Sequence, residues 1–219
     1  MKMNKYRILC IFFSCYICFF IPEIRSQVND ANLWIAFSKS FDLPDKWKFS
    51  ITEELRLKEN YSRLDNLLTQ FSLGKRLSDW FSADLNYRYS LKYNIERGYY
   101  HRHRIHTDLN FRLKADEWQF NNRFRIQTTA DTPVFEWYFR QKIGVEKSFE
   151  DLTGGIAWEY YYPINNPKLK LLDRTRFYFS LEYKIDKRNF ISGGFIIERE
   201  RNVKNPWTNY ILSVQYTFE

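Results

Sequence analysis

From Phe81 to Tyr93 the chain alternates without a break. Phe81, Ala83, Leu85, Tyr87, Tyr89, Leu91 and Tyr93 are apolar or aromatic, and the residues between them (Ser82, Asp84, Asn86, Arg88, Ser90 and Lys92) are polar or charged. Successive side chains on a strand point to opposite faces, so this stretch predicts a strand with one apolar and one polar face. Extended, it measures about 40 Å; tilted by about 45° it rises about 30 Å, the thickness of a bilayer's hydrocarbon core. Strands of soluble proteins usually run about 5–6 residues.

The same two-residue period recurs along the chain. Strands are predicted over Ala31 to Phe41, Trp47 to Lys58, Leu67 to Leu77, Phe81 to Tyr93, Tyr99 to Lys114, Trp118 to Gln127, Phe135 to Glu146, Leu152 to Tyr162, Arg176 to Ile185, Phe190 to Glu198 and Tyr210 to Phe218. The tenth, with Gly193-Gly194, is the least cleanly patterned. Glu53 interrupts the apolar phase of the second. Tight turns are expected after the odd strands and longer polar loops after the even ones, with Thr132-Pro133, Asn166-Pro167 and Asn205-Pro206 marking loops. Short turns on one side and longer loops on the other are what an outer-membrane barrel shows. The count is eleven, whereas single-chain bacterial barrels are even-numbered. The expectation is therefore ten strands, with the first outside the wall, or twelve.

The start of the chain reads differently. Lys2, Lys5 and Arg7 precede an uncharged, apolar-rich run from Ile8 to Ile21, and a polar segment ends at Ser26. This is the layout of a secretory signal, with cleavage expected after Ser26. The expected organisation is a signal peptide over 1–26 and a single domain over 27–219. All three cysteines (Cys10, Cys15 and Cys18) fall in the signal, so the exported chain has no disulfide and no thiolate metal site. The net charge is +8 for the whole sequence and +5 once four basic residues and one acid are removed with the signal. One residue in five is aromatic, yet mean hydropathy is negative. That combination fits strands with half their side chains toward lipid and half toward a polar interior. The fold class expected is all-β: an antiparallel, transmembrane up-and-down β-barrel of about 10–12 strands.

The polar phases carry the candidate chemistry. Arg88, Arg104, Asp108, Arg112, Arg123, Arg125, Arg140, Glu159, Arg176 and Glu182 are expected to line the lumen. The polar phase of strands four to six is strongly basic, and rings of Arg and Lys favour anions. A narrow passage or site for small anionic solutes is one reading; a charged, hydrogen-bonded filling of a narrow barrel is the plainer one. His106, beside Arg104 and Asp108, is the one candidate catalytic residue, for an enzyme acting on lipid or peptide. No Ser-centred motif accompanies it. His101 and His103 share a face, but two ligands make no metal site, and neither metal nor cofactor is called for. A third reading is a soluble periplasmic or secreted ligand-binding barrel with its apolar faces inside. Nucleic-acid binding is excluded, because the basic residues alternate with apolar ones and form no exposed patch.

Tyr210, Leu212, Val214, Tyr216 and Phe218 resemble the terminal signature of bacterial outer-membrane proteins, with Glu219 following the aromatic. The whole exported chain is similar to an uncharacterised family of small Gram-negative outer-membrane barrels, catalogued as a domain of unknown function. The resemblance rests on Trp34, the Trp47 strand with Glu53-Glu54-Leu55-Arg56, Arg123-Phe124-Arg125, Arg140, Glu159 and Tyr216-Thr217-Phe218. It implies fold and an outer-membrane location, and no activity. The partners implied are outer-membrane lipid, lipopolysaccharide and, through the C-terminal strand, the barrel-assembly machinery. Lys168, Lys170, Arg199, Arg201 and Lys204 are candidate contacts to lipopolysaccharide phosphates, or else solvated loop charge.

Overall fold

A computed structural model describes residues 29–130, 135–165, 172–202 and 206–219. The predicted signal, the Thr132-Pro133 and Asn166-Pro167 loop positions, Asn205, and the loop lysines Lys168, Lys170 and Lys204 lie outside them. The described residues form eleven strands: β1 (Asn29–Leu43), β2 (Trp47–Lys58), β3 (Arg63–Arg76), β4 (Phe81–Asn94), β5 (Gly98–Ala115), β6 (Trp118–Ala130), β7 (Glu136–Phe149), β8 (Leu152–Pro163), β9 (Arg174–Lys184), β10 (Asn189–Glu200) and β11 (Thr208–Phe218). Each pairs with its sequence neighbours, and β1 closes the barrel against β11.

The expected all-β barrel of about 10–12 strands is found with eleven, and only the even count is corrected by that closure. An odd number of up-and-down strands leaves the first and last running the same way, and β1 pairs with β11 in parallel, from Asn29 opposite Thr208 to Lys39 opposite Phe218. Parallel pairing is slightly weaker per residue. Side chains across the seam add to it: Phe37 stacks on Tyr216 at 5.6 Å, and the Lys39 ammonium lies 5.2 Å from the Phe218 ring centroid. Glu219 takes part as well. Its backbone N–H donates to the Arg188 carbonyl at 2.8 Å, and its carboxylate accepts from Lys48 at 2.5 Å.

The loop asymmetry is found in one part of the barrel. Two-residue turns at 116–117 and 150–151 contrast with connections of ten and seven residues at 164–173 and 201–207. The connections at 59–62 and 95–97, expected to be longer, have four and three residues, no more than the turns at 77–80 and 44–46. Several turns place a non-glycine residue in the left-handed region, among them Asp116 (φ 54°) and Glu150 (φ 50°). Between β2 and β3 the register slips at Arg56/Leu57, giving β3 one extra residue. Such a bulge re-aims side chains; here Asp65 meets Lys58 at 2.8 Å.

The alternating phases sort to opposite sides of the wall. Ile35, Leu85, Ile105, Leu109, Ile126, Ile143 and Ile156 are all exposed on its outer face. Fifteen of the twenty buried side chains among the described residues are polar or charged, so the interior is polar. This inverts the arrangement of an ordinary soluble domain. It also corrects the soluble-barrel alternative, which required the apolar phase inside. The weak pattern of β10 has a local cause. Ile196 points inward beside Ile211, its register partner, and inward Gly194 leaves room where a Cβ would meet Ser213 Oγ at 2.7 Å.

Candidate functional site

Two cavities occupy the interior. The larger, about 820 Å³, lies toward the end carrying the 164–173 and 201–207 connections; the smaller, about 360 Å³, lies toward the tight turns. Arg123, Lys142 and Tyr178 line both, so their side chains mark the boundary.

At that boundary sits Glu159, with no exposed surface. Its Oε1 accepts from Arg123 Nη2 at 2.5 Å and from Arg140 Nη2 and Nε at 2.8 and 3.2 Å. Its Oε2 accepts from the hydroxyls of Tyr178 at 2.5 Å and Tyr161 at 3.3 Å. Arg140 completes its fork by donating to Gln127 Oε1 at 2.9 Å, and its guanidinium lies 4.1 Å from the Tyr161 ring centroid. One carboxylate thus serves two arginines and two phenols. The strand register supplies the geometry: Lys142 faces Glu159, and Glu159 faces Arg176 across the next ladder. Burying a charge is tolerable only when it is paired and its remaining hydrogen-bonding capacity is used, and here both conditions hold.

A second pair lies beside it. Arg125 Nε and Nη2 donate to the two oxygens of Asp108 at 2.6 Å each, a bidentate fork between β6 and β5. A third group centres on Glu198, which accepts from Arg176 Nε and lies 3.9 Å from Arg174 Nη1. A fourth joins Arg56 to Glu54 at 2.5 Å, with the guanidinium stacked 3.9 Å from the Trp34 ring centroid.

The positions picked out by alternation are spread along the interior. Arg88, Arg104, Arg123, Arg125, Arg140 and Arg176 line the large cavity, and Arg112 lines the small one. Asp108 and Glu159 are buried behind their arginines, and Glu182 is exposed near the tight-turn mouth, opposite Thr153 and Ser192. Sequence reasoning overlooked Tyr161, Tyr178, Gln127 and Gln70. Their signal was present: each stands in the polar phase of its strand.

His106 is 1% exposed, and neither ring nitrogen has a hydrogen-bond partner among the described residues. Both oxygens of Asp108 go to Arg125, so the anticipated His–Asp pair is not made. His101 and His103 face outward, and their Nδ1 atoms bond the hydroxyls of Tyr89 and Tyr87 at 2.6 and 2.8 Å.

Residues 31–209 match the family described as "Protein of unknown function (DUF2490)", and the chain belongs to that family. No curated protein matches it.

Proposed function

We propose that the chain is an outer-membrane β-barrel whose lumen draws in small anionic solutes and provides a narrow passage for them. The observation that carries this reading is the sorting of side chains: a mainly apolar outer face, broken at the Glu53/Thr69 and Asn122/Gln141 pairs, around an interior rich in arginine. Soluble monomers rarely expose contiguous apolar patches beyond a few hundred Å². A wall with a mainly apolar outer face suits a hydrocarbon surround, and a closed barrel leaves no unpaired edge inside it.

The ends of the outer face support the same reading. Toward the tight turns, Lys75 lies over the Trp47 ring at 4.8 Å, and Lys147 lies between Trp118 and Phe149 at 4.9 and 5.0 Å. Toward the other end, Tyr93 packs edge-on to Tyr99, and Tyr160 to Tyr162. Aromatic rings near both ends of the wall suit a barrel held at two lipid–water interfaces. The cations at the tight-turn band suit lipid phosphates, and exposed Arg199 and Arg201 beside the long connections suit lipopolysaccharide phosphates. The C-terminal strand, closing against β1, is the part that would engage assembly machinery.

Inside, cations outnumber acids along the large cavity, and a basic narrow lumen favours anions. The test has two arms. The exported chain is expected in the outer-membrane fraction, with gel mobility that changes on heating. In a planar bilayer under a potassium chloride gradient, the reversal potential is expected to show chloride preference. Recovery in the soluble fraction, absence of conductance or a preference for potassium would sink the reading.

A further inference from the structure

Two pairs of arginines face each other across the barrel's ladders. Arg125 opposes Arg140 between β6 and β7, and Arg88 opposes Arg104 between β4 and β5. Like charges directly opposite on one face are destabilising. The first pair is neutralised within the protein by Asp108 and Glu159. The second is not. Arg88 Nε and Nη2 donate to the neutral Gln70 Oε1 at 3.0 and 2.6 Å, and Arg104 Nε donates to the Thr129 hydroxyl at 3.2 Å. Neither makes an ion pair with a carboxylate among the described residues, and Glu54, on the neighbouring wall, is held by Arg56. Both line the large cavity, and among the described residues Arg88 Nη1 and both Nη groups of Arg104 have no protein acceptor.

We propose that the Arg88–Arg104 pair is a binding site for the phosphate group of a small phosphorylated, hydroxyl-bearing solute. The inference deepens the reading of the lumen as anion-attracting and rests on it. Two guanidiniums on neighbouring strands present planar donor forks about 5 Å apart at their Cβ atoms, a spacing one tetrahedral oxyanion can bridge. A phosphate monoester carries about −1.5 to −2 charge and three acceptor oxygens, which matches two unneutralised cations; a carboxylate offers one charge and two oxygens. The cavity is far larger than a phosphate, and its volume lies within the range of small-molecule sites, about 300–1,000 Å³. Asn66, Ser90, Gln127 and Asn209 line the same cavity and supply neutral donors and acceptors for hydroxyl groups. Beyond the site, Arg123 and Tyr178 on Glu159 mark the floor, so the solute is held above the boundary between the cavities.

The test is calorimetric titration of the detergent-purified exported chain with glucose 6-phosphate, inorganic phosphate and glucose, at one fixed salt concentration. Glucose 6-phosphate is expected to bind one per barrel, inorganic phosphate at least tenfold more weakly, and glucose not at all. Arg88→Gln and Arg104→Gln should each weaken glucose 6-phosphate binding tenfold or more. Arg112→Gln, in the other cavity, should stay within twofold. Arg88→Lys keeps the charge and loses the fork, so it should fall between wild type and Arg88→Gln, and it serves if the glutamine variant does not fold. Equal weakening by all three glutamine variants would reduce the site to diffuse lumen charge and overturn the proposal. Inorganic phosphate binding as tightly as the ester would overturn the hydroxyl-bearing part. Wild type that binds no phosphate while keeping chloride preference in the bilayer would remove the site and leave the anion-attracting lumen standing. Loss of that preference would remove the lumen reading itself.

Discussion

The two arginine pairs are a natural contrast. Each is a cross-strand pair on the inner face, and each comes from one strand phase read in the same way. Arg125 and Arg140 have a carboxylate apiece, buried and hydrogen-bonded through both oxygens. Arg88 and Arg104 have an amide oxygen and a hydroxyl. The first arrangement closes on itself and fills space; the second leaves charge and donors turned to a cavity. The difference teaches that a basic lumen is not uniform. Where the protein supplies the anion, the arginines are structure; where it does not, they are available to something else.

The contrast breaks most visibly at Glu159. Glu159→Gln leaves Arg123 and Arg140 without their shared counter-charge, and removing one partner of a buried pair costs about 3–5 kcal/mol. The temperature at which the folded gel band converts to the unfolded one should drop sharply. Asp108→Asn keeps one acceptor oxygen for Arg125, so a smaller loss of about 1.5–3 kcal/mol is expected in the same assay. Tyr178→Phe removes one donor to Glu159 and should cost about 1 kcal/mol. The opposite sign is expected on the other side. Arg88→Gln relieves a like-charge cross-strand contact and should raise stability by about 0.2–1 kcal/mol in the absence of phosphate. If Arg88→Gln proved as damaging as Glu159→Gln, the two pairs would be alike and the contrast would fall.

How much of this could be read from the residues varies from place to place. The strand at Phe81 is found over Phe81–Asn94, and its phases hold throughout, because each residue's side is fixed by local geometry alone. The bulge at Arg56/Leu57 was not legible, since a single extra residue in β3 matters only once its pairing with β2 is known. Asp108 and Glu159 were legible as lumen residues, but which arginines each would hold was not. Glu159 lies 36 residues from Arg123, and its two phenols come from β8 and β9. His106 shows the converse. Two positions from Asp108 it looked like half of a dyad, yet the oxygens point across the ladder to Arg125.

By itself the sequence determined where eleven stretches of strand lie and, apart from the tenth, the two phases of each, because alternation acts over a few residues. Tertiary structure decided three things. It set which phase faces in, since alternation looks the same when inverted. It closed β1 on β11 in parallel, since a ladder between chain ends has no local signal. It also chose which arginines receive a carboxylate, since that depends on the register between strands far apart in the chain.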